Sequence, residues 1–545
     1  MKHALQSILT LSLLLGSLYF QQAQAQSISN PTVDMEVVDK IVEEGINNSQ
    51  LMKMASYLTD VIGPRLTNSA GMYRANEWTA EKLESFGLDV NYHEWGPFGR
   101  GWELKRFALH AESEFGYFPV TGYPKAWSEG HDGPVRGEVV YFRLDENTTL
   151  DDYRGKLEGK FVLIQEPAVV EPGWNPIATR NTTERLLQLA NATQRPATGG
   201  PGGTPSAAAL ARQQDAFERA QFLIDEKPLA IIDQSYRGGM GQIAISGATL
   251  PAEPGLAWAN RPRPYDLDAP ASIPQISLTR EHYGRIFRML EHGVDVTLEM
   301  DLQVEFQEDN LMAWNTIGEI KGTDPDLADE VVIIGGHLDS WHAATGATDN
   351  ASGSVVMMEA MRILSELGIQ PRRTIRIALW SGEEQGLHGS REYVSDHFGT
   401  IEGSQYQSTL VRAHDDYHKI SAYYNVDNGS GQIRGIYLQQ NEALRELFRT
   451  WLSPFSDWDA NTVSWTNTGS TDHVSFDRIG IPGFQFIQDP LEYFSLSHHS
   501  NMDTYERLVE QDLVRNAVIL ATFAYHTAML DELLPRKEGF TLVTD

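Results

Sequence analysis

The sequence predicts an α/β protein with a mainly parallel central sheet sandwiched by helices and a β-rich domain inserted ahead of that sheet. Three observations carry this expectation. From about residue 303 onward, strand-length apolar runs alternate with helical stretches, the pattern of parallel strands joined by helical crossovers. The runs VVIIGG (331–336) and TIRIALW (374–380) are apolar almost throughout, as expected for strands covered on both faces. Between about 125 and 280 the texture changes to short β-like runs divided by turn residues, among them GEVVYF (137–142), GKFVLI (159–164) and LAIIDQS (229–235).

Taken in order, the chain begins with Lys2, an apolar run over 8–20, and Ala23-Gln24-Ala25. We read 1–25 as a secretory signal peptide cut after Ala25, because the apolar run is short of the roughly 20 residues a bilayer span needs. Residues 26–124 are expected to be the N-terminal helical part of the main domain, with helical stretches at 33–66 and 72–87 around the Gly63-Pro64 break. The β-rich domain is assigned to 125–280, with a low-complexity insertion near 180–216. The segment PATGGPGGTPSAAALARQQ (196–214) is its core, read as a surface excursion. Residues 281–545 complete the main domain. Strands are expected at 331–335, 374–380, 420–426 and 480–488, helices at 352–367 and near 387–397, and a long closing helix over 504–530.

Composition excludes several classes of function. Lys and Arg number 43 against 74 Asp and Glu, a net charge of −31, which repels phosphate backbones and anionic lipid, so no nucleic-acid partner is expected. No segment after the signal reads as membrane-spanning. The chain has no cysteine, hence no disulfides and no thiolate metal ligands. Combined with an export signal, that usage fits a periplasmic or secreted bacterial protein.

The informative positions are the strand ends. The run 331–336 leads into His337 and Asp339, with Asp349 following before the next helix; 374–380 leads into Glu383 and Glu384; 420–426 leads into Asp427; and 480–488 leads through a loop to His498 and His499. Singly these residues are unremarkable: Asp349 reads as a helix N-cap, Asp427 before Asn-Gly as a turn residue, and the double histidine as exposed. Together they fall on one face of one sheet, the carboxyl edge where ligands bind in such folds. Carboxylates converging there repel one another unless cations hold them, and a His/Asp/Glu set suits zinc.

The motifs HLDSW (337–341), GATDNASG (346–353), SGEEQGLHGS (381–390), YYNVDNGSG (423–431) and HHSNMDTYE (498–506) resemble, in order, those of the co-catalytic zinc exopeptidase family, which includes leucyl-type aminopeptidases, plasma glutamate carboxypeptidase and folate hydrolase. The resemblance extends to GPRLTNSAGMYRANEWTAEKLESFG (63–87), and it makes the β-rich region similar to a protease-associated domain. It implies two Zn²⁺ ions bridged by Asp349, with His337 and Asp427 completing one site and Glu384 and His499 the other. Glu383 is then the general base, and Asp339 the carboxylate that orients His337. His499 fits the family spacing to Asp503, whereas His498 does not. His342, His388 and His473 occupy no ligand position of the family. The implied activity is hydrolysis of terminal bonds in peptide substrates, with aminopeptidase action favoured. A carboxypeptidase or dipeptidase of the plasma glutamate carboxypeptidase type is the alternative, and a glutaminyl-cyclase-like acyltransferase with one zinc is a more distant one.

Overall fold

The strand Val331–His337 is buried at every residue and lies inside an eight-stranded mixed sheet. In spatial order the strands are Asp89–Trp95, Ala313–Ile320, Thr374–Trp380, Val331–His337, Ile420–Asn425, Gly483–Gln488, Ile433–Tyr437 and Thr462–Ser464. The four middle strands are mutually parallel, and Ala313–Ile320 and Ile433–Tyr437 flank them antiparallel. In this computed structural model the described residues are 32–193, 206–270, 272–402 and 408–543. The signal-peptide reading of 1–25 and most of the Gly-Pro-rich run at 196–214 therefore lie outside the described residues.

Alternation along Val331–His337 explains the layers. Val332 and Ile334 point into a core shared with helices Met35–Asn48, Ala70–Ser85, Ser352–Glu366 and Glu510–Met529. Val331 and Ile333 point to the other face, against Tyr393, Val394 and Phe398 at helix His388–His397 and against Phe476. Both faces are thus covered, as the continuous apolar runs require. Among the described residues no helix is long and apolar enough to cross a membrane.

A second eight-stranded sheet is built from Gly116–Pro119, Gly101–Ser113, Thr297–Gln307, Val135–Tyr141, Phe161–Leu163, Ala230–Gln234, Gln275–Leu278 and Gly122–Pro124. It has its own core around Leu109, Phe161, Ile232, Tyr283 and Leu298. It draws on 101–307, wider than the 125–280 read from texture, because Gly101–Ser113 pairs with Thr297–Gln307 from Gly101↔Gln307 to Glu112↔Thr297. The region also holds a 20-residue helix, Ala207–Glu226, whose start had been read as low complexity. Ser206 caps it by accepting from the Ala209 N–H, and only Phe222 and Leu223 of the helix are buried, so its apolar periodicity is weak. At the other end of the chain the closing helix starts at Glu510 rather than 504, since Tyr505–Arg507 is a short 3₁₀ turn.

Gly45 shows how tightly the first helix packs. A Cβ there would lie 2.5 Å from Val518 Cγ2 and 3.1 Å from Ile363 Cδ1. Helix propensity favours alanine over glycine by about 1 kcal/mol, but overpacking a rigid core costs about 1–3 kcal/mol. Gly45→Ala is therefore expected to lower the thermal unfolding midpoint, as measured by calorimetry.

Candidate metal centre

The loops that follow the parallel strands bring the charged groups together. His337 ends its strand, Glu383 and Glu384 follow Thr374–Trp380, Asp427 follows Ile420–Asn425, and His498 and His499 lie beyond Gly483–Gln488. Asp349 stands in the turn before helix Ser352–Glu366, a helix with no side-chain cap. Its carboxylate is therefore not used as the N-cap that its position suggested. The turn is fixed by Asn350, whose Nδ2 donates to the Val426 carbonyl at 2.9 Å while its Oδ1 accepts from the Gly353 N–H at 3.0 Å. Gly353 is required here, because a Cβ would sit 2.2 Å from the Val426 oxygen. Asp349 and Asp427 are held in register by these contacts.

Asp349 faces a histidine on each side. Its Oδ1 lies 3.3 Å from His337 Nε2, which is also 3.2 Å from Asp427 Oδ1. Its Oδ2 lies 3.3 Å from His499 Nε2, which is 2.8 Å from Glu384 Oε2. His337 Nδ1 lies 3.0 Å from the Asp339 carbonyl. A proton on Nδ1 satisfies that contact and leaves the Nε2 lone pair aimed at the acids. Asp349 Oδ2 and Glu384 Oε1 are buried without a hydrogen-bond partner. Two His/carboxylate sets sharing one aspartate, with two orphaned oxygens on the His499 side, fit divalent cations of the zinc type.

The electrostatics point the same way. Burial, reinforced by Asp349, pushes the Glu384 carboxyl up to about 7. Burial raises Glu383 well above the usual range, with Asp427 and Asp472 adding to the rise. Burial also works against charge on His499, yet Glu384 and Asp349 raise its imidazole to about 9. Burial would raise Asp349 too, but His337 and His499 hold it below the ordinary carboxylate range. The acids thus compete for whatever positive charge is available, and a cation would relieve them.

The structure places the remaining candidates differently. The Asp339 carboxylate is 3.6 Å from His337 Nδ1; the hydrogen-bonding partner of that nitrogen is the Asp339 main chain. The carboxylate instead accepts from the Glu383 and Glu384 N–H groups, each at 3.2 Å, and from the Thr67 hydroxyl at 3.1 Å. It therefore positions the Glu383–Glu384 backbone as well as lying beside His337. His498 is 4.0 Å from Asp349 Oδ2, and burial lowers its imidazole to about 4. His342, His388 and His473 lie outside the cluster: His342 meets the Pro124 carbonyl at 2.8 Å, His388 stacks on Trp95, and His473 meets the Thr468 carbonyl.

Three groups gained no role from the sequence. Asp503 accepts from the N–H groups of Thr348 and Asp349 and from the Thr348 hydroxyl, at 2.6, 3.1 and 2.7 Å. It thereby clamps the turn that carries the shared aspartate. Its signal was the last acid of HHSNMD. Trp341 Nε1 donates to Glu384 Oε2 at 2.8 Å. Arg65, fully buried, donates to the carbonyls of Gly63, Leu338, Thr345 and Gly346 and ties both ends of the 338–346 loop together. No local pattern marks Arg65, because its partners are distant in sequence.

A mixed α/β sheet whose four parallel central strands end in a His/Asp/Glu cluster defines an α/β protein with a candidate metal centre. Residues 315–524 match the model of Peptidase family M28, in line with the resemblance carried by the motifs. The chain is similar to mouse Carboxypeptidase Q, 28% identical over 269 residues, 49% of this chain and 53% of that one. It thus spans about half the length of the first curated relatives it matches, whereas the alignment with bovine Carboxypeptidase Q, at 24% identity, covers 95% and 93% of the two chains. In fold it is similar to a Peptidase M28 precursor from Shewanella amazonensis (TM-score 0.60, 22% identity, 92% and 99% covered). It is also similar to a zinc aminopeptidase from Bacillus subtilis (TM-score 0.52, 18% identity, 90% and 97% covered). Because loss of a group that orients a ligand typically costs 10–100-fold in metal affinity, Asp503→Ala is expected to weaken zinc binding by about 10–100-fold. Chelator competition reads the affinity, and far-UV circular dichroism should stay unchanged.

Proposed function

We propose that the protein is a dizinc exopeptidase that hydrolyses terminal peptide bonds. One observation carries this reading: the two oxygens of Asp349 face different histidines, His337 and His499, at 3.3 Å each. That is the arrangement of a carboxylate shared by two cations. His337 and Asp427 would complete one site, and Glu384 and His499 the other. His499 is preferred over His498 because it also meets Glu384, at 2.8 Å. Zinc at such a site supplies a polarised carbonyl and a water acidified to a pKa of about 7.

The protein's own groups supply the rest. Glu383 stands next to Glu384 in the chain, so its backbone is fixed by the same Asp339 carboxylate. A carboxylate beside the ligand set suits a base that takes a proton from water and returns it to the leaving amine. Trp341 and Asp339 restrain Glu384, and Asp503 restrains Asp349, so the ligand atoms hold their places without solvent reorganisation.

The sheet over 101–307 is taken as the inserted protease-associated domain, supported by its separate core. Export is supported by Lys2, the apolar run and Ala23-Gln24-Ala25. The curated relatives carry a carboxypeptidase name and one fold neighbour an aminopeptidase name; hydrolysis of a terminal peptide bond is common to both.

Glu383→Gln tests the assignment. Because general-base catalysis contributes typically 10²–10⁴-fold, the variant is expected to lose turnover by about 10²–10⁴-fold while binding zinc as the parent does. Turnover is read by mass spectrometry of peptide products and metal by elemental analysis. Undiminished turnover would remove Glu383 from the mechanism.

A further inference from the structure

Large apolar side chains stand exposed around the loop that carries His498 and His499. Phe494, shortly before the two histidines, is 60% exposed. Tyr236 and Met240, in the turn after strand Ala230–Gln234 of the second sheet, are 61% and 70% exposed, and Val170 and Ile177, on a third segment, are exposed too. Single exposed apolar residues are ordinary on protein surfaces, but these lie on segments joined to one another. A Cβ at Gly239 would lie 2.9 Å from Val170 Cγ1, and the Ser495 hydroxyl donates to the Ile177 carbonyl at 2.6 Å. A terminal guanidinium nitrogen of Arg237 donates to the His498 carbonyl. The three segments thus form one apolar collar, and contiguous apolar patches mark interaction sites.

The collar is fixed, and it borders the candidate metal centre. The ring centroids of Phe494 and His498 are 6.0 Å apart, and His498 Nε2 is 4.0 Å from Asp349 Oδ2. Gln242 Nε2 donates to the Leu496 carbonyl at 2.5 Å and the Ile245 N–H to the His499 carbonyl at 2.9 Å, which ties the turn to the histidine loop. Met240 has a left-handed backbone, with φ 55°, a conformation that a residue with a Cβ adopts at a cost. An exposed apolar side chain on a strained backbone gives the isolated fold no benefit, and such strain gathers at ligand clamps. Charge adds a constraint. In a chain of net charge −31, neither 236–241 nor 493–498 contains an aspartate or a glutamate.

We propose that this collar binds the apolar body of a peptide substrate, the residues beyond the two that flank the terminal bond, so that the enzyme favours oligopeptides with large apolar residues there. This rests on the exopeptidase reading above. A peptide whose terminal bond sits against Asp349 and Glu384 carries the rest of its length past the rim of the site, and the histidine loop with the turn after Ala230–Gln234 forms that rim on one side. Contacts to parts of a substrate remote from the reacting bond help to orient that bond. The other apolar occupant, a second copy of this chain, would bring its own charge of −31 to the contact, whereas an uncharged peptide body meets no such repulsion.

The test uses zinc-loaded full-length protein and two hexapeptides with identical terminal dipeptides, one carrying Leu-Phe and the other Gly-Ser in the middle, so that both ends match whichever is cut. Mass spectrometry follows the first cleavage. Partial burial of large apolar side chains should give the Leu-Phe peptide a kcat/KM about 3–10-fold higher. Met240→Asn, which suits the left-handed backbone, and Phe494→Ser should each lower that ratio, and the double variant should bring it near one with zinc content unchanged. Equal cleavage of the two peptides by the parent would overturn the proposal and leave the exopeptidase reading intact. So would a preference that survives the double variant, or cleavage of a dipeptide where both hexapeptides resist. A dimer, seen by light scattering, that the double variant dissociates while the ratio stays put would assign the collar to a second copy and overturn the proposal as well. If the parent cut neither hexapeptide nor a dipeptide, the exopeptidase reading itself would fall.

Discussion

Everything at the candidate centre is arranged around a buried aspartate whose two oxygens face different histidines. Asp349 lies between His337 and His499, and Asp427 and Glu384 stand behind those histidines. Asp339 and Asp503 hold the backbones that carry them. Ionised carboxylates withdrawn from water cost several kcal/mol each unless they are paired, and two imidazoles do not balance this many acids. The fold accepts the cost because the sheet leaves no alternative: four parallel strands end at one edge, and their loops must meet there. Arg65, buried and bonded to four carbonyls, stiffens the 338–346 loop, and its hydrogen bonds go to the main chain rather than to the ligand oxygens.

The second sheet is part of this arrangement. Its segment 241–247 pairs with the histidine loop through Ile243, Ala244 and Ile245. Its segment 177–181 crosses the preceding loop, where Thr179 exchanges backbone hydrogen bonds with Leu491. Arg180 there bridges Asp489 and Asp512, both nearly fully buried, and Arg434 shares Asp489 at 3.0 Å. The position of His499 is thus set jointly by the strand that precedes its loop and by a backbone belonging to the other sheet. Displacement of the second sheet would move a candidate ligand, which couples the geometry of the site to the packing of the two units.

Much of the fold was legible because its signals are local. The central strands are continuous apolar runs, and their order of chemistry-bearing ends followed from parallel topology. His337, Asp349, Glu383, Glu384, Asp427 and His499 are brought together as that topology implied. Features that depend on distant pairing were not legible. The limits of the second sheet follow from Gly101–Ser113 meeting a strand almost two hundred residues later in the chain, and helix Ala207–Glu226 is hidden by its mostly exposed, Ala-rich surface. Strands Ile433–Tyr437 and Thr462–Ser464 are short and carry no alternation of their own. Within the site, the Asp339 carboxylate was expected to bond His337; it lies 3.6 Å from that ring, and its hydrogen bonds go to the Glu383 and Glu384 amides and the Thr67 hydroxyl. Asp503 acts mainly through backbone contacts, which residue spacing does not encode.

The central claim is that Asp349 is shared by two zinc ions, and anomalous diffraction at the zinc edge from crystals of the zinc-loaded protein tests it most directly. The account predicts two anomalous peaks at the strand-end edge, one beside His337 and Asp427 and one beside His499 and Glu384, with Asp349 between them. A single peak, or two peaks that do not both contact Asp349, would contradict it.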